Sequence, residues 1–99
     1  MRSGLDVAMN ISVSVVRITS VLSSYLRLHP LASDTLEGIA QWWLPADDIS
    51  LADLACALHR MEQSGVIEVT RAADGQVRYR RAALNAQVDA ELDRFIADS

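Results

Sequence analysis

The sequence predicts a mainly α domain carrying one small β-hairpin, an α+β fold, and three observations carry that prediction. Apolar residues recur three and four apart through four separate segments, the spacing that gives a helix one apolar face. At Val66 the period changes from 3.6 to 2, as in Ile67, Val69 and then Val77, Tyr79, which is the alternation of a strand. The two β-rich runs, 66–71 and 76–81, flank Asp74-Gly75, and glycine accepts the positive φ that hairpin turns need.

The elements follow in order. Ile18, Val21, Leu22, Tyr25, Leu26 and Leu28 fall at helical spacing up to His29-Pro30. Proline pushes its predecessor out of the helical region, so a first helix spans about 13–28. Ile11, Val13 and Val15 alternate with serines, a pattern that a short strand or a β-branched first helical turn both satisfy; the helix reading from Val13 is preferred. In 33–37, Asp34 is placed to cap a second helix, 35–44, with Glu37 reaching back, and Pro45 ends it. Asp47-Asp48 reads as a solvated turn. Ser50, with Asp53 three residues on, opens a third helix that Gly65 stops, about 51–64. Leu84, Val88, Leu92, Phe95 and Ile96 mark a final amphipathic helix, about 83–97. No linker divides the chain, so 1–99 is read as one domain.

Composition excludes several classes. The chain is 51% apolar with a mean hydropathy of +0.14, too apolar for a disordered segment. All nine basic residues are arginine, thirteen acids oppose them, and the net charge is −4. Such a balance counts against a dedicated nucleic-acid binder, which needs a positive surface. The lone Cys56 forms no internal disulfide and fits a reducing, cytoplasmic setting. Asp6, Asn10, Ser12 and Ser14 interrupt any apolar leader, and 11–28 contains Arg17 and Arg27, so neither a signal peptide nor a membrane span is expected.

Helix, helix, turn, helix, hairpin, helix in this order resembles the winged helix-turn-helix superfamily, with 35–44, 50–64 and the hairpin 66–81 as its core and helices flanking it on both sides. The resemblance covers half to two thirds of the chain and rests on element order rather than on an invariant motif. It implies either a DNA-binding regulator, with the third helix in the major groove and the wing on the backbone, or a module that binds proteins only. The resemblance also implies that a helix after the wing joins the N-terminal helix in a dimer interface.

The residues weigh these outcomes. A helical wheel gives the third helix a buried stripe of Leu51, Leu54, Ala55, Leu58 and Met61, leaving Ala52, Asp53, Cys56, Arg60 and Gln63 outward. Of these only Arg60 and Gln63 have base-reading chemistry, and they sit at the C-terminal end. Residues 31–65 hold Arg60 alone against Asp34, Glu37, Asp47, Asp48, Asp53 and Glu62, a local charge of −5. The wing, 66–82, carries Arg71, Arg78, Arg80 and Arg81 against two acids, or +2, as do residues 1–30, whereas 83–99 return −3. Arg60, Gln63, Arg71, Arg78, Arg80 and Arg81 are therefore the candidate contacts to DNA or another anion, and solvated edge protection is the plainer role for the wing arginines.

The preferred expectation is a non-catalytic protein-interaction module, dimeric, with a protein partner or a second copy. Its candidate docking residues are Glu37, Gly38, Gln41 and Trp42. Trp43 belongs to the core, and the adjacent Trp42 is either covered by the N-terminal segment, as burial habits favour, or an exposed anchor. Gly38 costs helix stability and permits close approach. Leu84, Val88, Leu92, Phe95 and Ile96 form the candidate dimerisation stripe, because so apolar a small domain leaves apolar surface uncovered. Cys56 and His59 fall short of a four-ligand metal site, and no phosphate loop, hydrolase or zincin motif occurs. No cofactor and no enzyme activity are expected.

Overall fold

A computed structural model describes residues 13–44 and 49–98. The Asp47-Asp48 turn, Pro45 and everything before Val13 lie outside the described residues. Helix α1 is Val13–Leu28, strand β1 is Ser33–Asp34, and a single turn α2, Leu36–Gly38, runs into a π-helical segment, Ile39–Trp43. Helix α3, Leu51–Gln63, leads into β2, Ile67–Arg71, and β3, Val77–Arg81; α4, Ala86–Ala97, follows. The architecture is thus mainly helical with a small antiparallel sheet of order β1-β3-β2.

In α1 the buried positions are Val15, Ile18, Thr19, Leu22, Ser23 and Leu26, with Ser20 beside them, the three-and-four spacing of one helical face. Two hydroxyls sit in that stripe without unsatisfied groups. Thr19 donates to the Val15 carbonyl at 2.7 Å and Ser23 to the Thr19 carbonyl at 2.8 Å, the back-bonding that lets Ser and Thr enter a helix interior. Against this stripe pack α3, through Leu54, Ala57, Leu58 and Met61, and α4, through Val88 and Leu92. Ala57, and not the expected Ala55 or Leu51, belongs to the buried face of α3; Ala55 is exposed and Leu51 is 47% exposed.

Ends and turns carry the local chemistry. Ser50 accepts from the Asp53 amide at 3.2 Å, as expected of its capping position. At the far end Gly65 takes φ +85°, and its amide and that of Val66 return to the Glu62 and Met61 carbonyls. That pair of bonds is a Schellman closure, which only a left-handed residue allows. The hairpin loop holds three residues: Ala72 pairs with Gln76, the Gly75 amide bonds to the Ala72 carbonyl, and Gly75 alone takes a positive φ, +88°.

Three further expectations are corrected. Asp34 is not the cap of the second helix; it pairs as β1 with Tyr79 of β3, and Thr35 is the cap, accepting from the Gly38 amide at 3.1 Å. With Thr35 as cap, the residue three positions on is Gly38, so Glu37 sits one place too early to close a capping box. The final helix starts at Ala86 rather than near 83, because the Asn85 side chain caps it by accepting from the Val88 amide at 2.9 Å. Finally, the stripe expected to dimerise is largely consumed inside the domain. Val88 and Leu92 are buried against α1, Phe95 packs on the same core and Ile96 is half-buried; only Leu84 remains well exposed, at 64%.

Candidate functional site

The docking residues expected from the sequence come together on the second helical segment. Ile39 and Trp43 are buried there, and the Trp43 ring stacks on Tyr25 of α1 with centroids 4.7 Å apart and planes at 13°. Tyr25 in turn meets His29 at 4.5 Å. This ladder of rings fixes the segment against the C-terminal half of α1. Trp42 then has to leave the core, since adjacent helical side chains diverge by close to a quarter turn or more. Its indole is 71% exposed; the N-terminal segment expected to cover it lies outside the described residues. Glu37 and Gln41, which precede it on the same segment, are also exposed.

Gly38 has a different role from the one its sequence position suggested. A Cβ there would overlap the Asp34 carboxylate, whose Oδ1 accepts from the Thr35 amide at 2.8 Å. The close approach that the glycine permits comes from the chain's own β1, so Gly38 shapes the face from beneath. No protein-family model, curated protein or solved structure matches the chain. The residues themselves must carry the reading.

The candidate anion contacts are dispersed and mostly engaged. Arg81 is buried and cannot serve as a surface contact: its Nε donates to the Ala83 carbonyl at 2.7 Å, and its guanidinium pairs with Asp89. Strand parity is the signal for this, because Arg81 shares its face with Val77 and Tyr79 while Arg78 and Arg80 point the other way. Arg80 pairs with Glu68 directly across the hairpin, and Arg78 donates to the Ser33 carbonyl at 3.1 Å. Arg60 lies over the Phe95 ring, 5.7 Å from its centroid, and reaches Thr19 Oγ1 at 3.5 Å, so it ties α3 to α4 and α1. Gln63 and Arg71 are exposed, one at the end of α3 and the other at the end of β2.

A residue that the sequence reading passed over organises this half of the molecule. Asp89 of α4 accepts from Arg81 of β3 and from Arg27 of α1 at 2.8 Å, and Arg27 also holds Asp93 at 3.0 Å. The Arg81 hydrogen bond, with the charges of Arg81 and Arg27, holds the Asp89 carboxyl below its ordinary range. Among the described residues no three His, Cys, Asp or Glu side chains converge as metal ligands. A half-open groove of about 460 Å³ between the end of α3 and the start of α4 is lined by Gly65, Val66, Ala82, Asn85, Val88 and Glu91; its Asn85 and Glu91 side chains are occupied by the Val88 amide and Arg94. No described helix is long and apolar enough to cross a membrane.

Proposed function

We propose that this chain is a small winged-helix interaction module that docks a protein partner on the face formed by Glu37, Gln41 and Trp42. The observation that carries the reading is Trp42, held 71% exposed beside a buried Trp43. Leaving an indole in water forgoes apolar burial, and a rigid amphipathic ring is the side chain that most often anchors an interface. A π-helical turn adds support, since such turns cluster at functional positions. Element order supports the winged-helix assignment: α1, the α2 segment, α3, then the hairpin and α4, with β1 binding the hairpin to the start of the second helical segment.

The rival, a DNA-binding regulator working through the wing, finds less support. Of its candidate contacts, Arg81 and Arg80 are ion-paired and Arg60 is engaged over Phe95, while residues 31–65, which include the helix that would enter the groove, carry −5. The discriminating experiment places a photo-cross-linking side chain at position 41 of the intact protein in cells. One discrete protein adduct, lost in Trp42→Ala while the domain stays folded, is expected. An adduct pattern indifferent to Trp42→Ala would sink the site.

A further inference from the structure

We infer that the Trp42 face takes a cationic segment of another protein, with an arginine side chain laid on the exposed indole. This rests on the docking reading above and adds the chemistry of the partner. Tryptophan is the strongest aromatic acceptor of a cation, and its electron-rich face is available here because Trp42 is 71% exposed. Glu37, one turn earlier, is exposed and Asp34 is partly so. The Asp34 carboxylate lies against Gly38, so two acids border this segment and favour a cationic over an acidic partner.

Most of the described arginines are already engaged within their own chain, which makes a second copy the poorer occupant. Arg27, Arg80, Arg81 and Arg94 are each paired with a carboxylate of their own chain. Arg60 lies over Phe95 and Arg78 is bonded to the Ser33 carbonyl. Drawing any of these six onto a neighbour's Trp42 would cost an existing contact; Arg17 and Arg71 are exposed, but they belong to a chain of net charge −4 that repels its own copy, whereas an extended arginine-rich segment from a different protein brings its cations without that repulsion.

The test uses the full chain and two synthetic peptides of equal length, one arginine-rich and one glutamate-rich, followed by tryptophan fluorescence. The arginine-rich peptide is expected to change the emission saturably, about fivefold more weakly in Trp42→Ala and about twofold more weakly in Glu37→Gln. Its affinity should also fall on going from about 50 to about 500 mM salt. Both variants should keep the parent circular dichroism, because both side chains are exposed. Equal response to the two peptides, no saturation, or affinity unchanged in Trp42→Ala overturns the inference. Light scattering that shows a dimer abolished by Trp42→Ala also overturns it, in favour of a second copy. If the adduct at position 41 depends on Trp42 but ignores salt and Glu37→Gln, docking stands and the cationic partner falls.

Discussion

Arg81 and Asp89 form an ion pair whose halves sit in different media: the guanidinium is 4% exposed and the carboxylate 39%. A buried cation without a partner is far more costly than a surface anion without one. The pair therefore acts as a one-sided lock, in which β3 depends on α4 more than α4 depends on β3.

Asp89→Asn leaves the buried guanidinium with two backbone carbonyls and no counter-charge. Its Tm is expected to fall by several degrees at neutral pH. The carboxyl is held below its ordinary range, so the folded chain keeps it ionised after the unfolded chain has taken up its proton. This contribution is complete above about pH 4 and is lost as pH falls through the lower folded value. Melting curves of parent and Asp89→Asn should accordingly converge in acid; a gap that persists there would show that charge is not the cause.

Gly38→Ala sets two effects against each other. Alanine is the better helix former by about 1 kcal/mol, but its Cβ overlaps the Asp34 carboxylate. The single variant is expected to be destabilised by about 1 to 2 kcal/mol, and the same change made in an Asp34→Ala background to be neutral or stabilising. A double-mutant cycle by denaturant unfolding measures the coupling, and strict additivity would show that the two side chains do not compete.

The neighbouring tryptophans should part company under substitution. Trp43→Ala removes a ring stacked on Tyr25 and only 6% exposed, an expected loss of about 3 to 5 kcal/mol. Trp42→Ala should change stability by no more than about 0.5 kcal/mol. Thermal melts followed by circular dichroism separate them, and similar losses in both would mean that Trp42 packs inward.

Leu92 is fully buried in the seam between α4 and α1. Leu92→Ala is expected to cost about 3 kcal/mol without creating or dissolving a dimer, which sedimentation at matched concentrations checks. A change in oligomeric state with Leu92→Ala would return the α4 stripe to the role first expected of it.

The elements legible from sequence were those whose signals are local. The Leu28 end of α1, the Ser50 cap and Gly65 stop of α3, and the turn at Gly75 each depend on a few adjacent residues and on apolar period. β1 was not legible, because two residues become a strand only through partners at Tyr79 and Arg80, some 45 positions on. For the same reason Asp34 looked like a cap. The π-helical turn left no pattern in residue type. At the candidate site, the exposure of Trp42 followed from which indole could reach Tyr25, a tertiary fact. Arg81 was the more readable miss: its parity with Tyr79 already placed it inward, and an acid eight residues later could have been sought as its partner.

The antiparallel seam between α1 and α4 brings Arg27 to Asp89 and Ser20 to Ile96. Everything between these helices is made before the seam can close. A ribosome-bound chain that stops short of Ala86 therefore leaves the Leu22 and Leu26 ridge of α1 without its α4 cover, open to solvent or to a chaperone. The last native contacts to form during synthesis are the ones that join the two ends of the described chain.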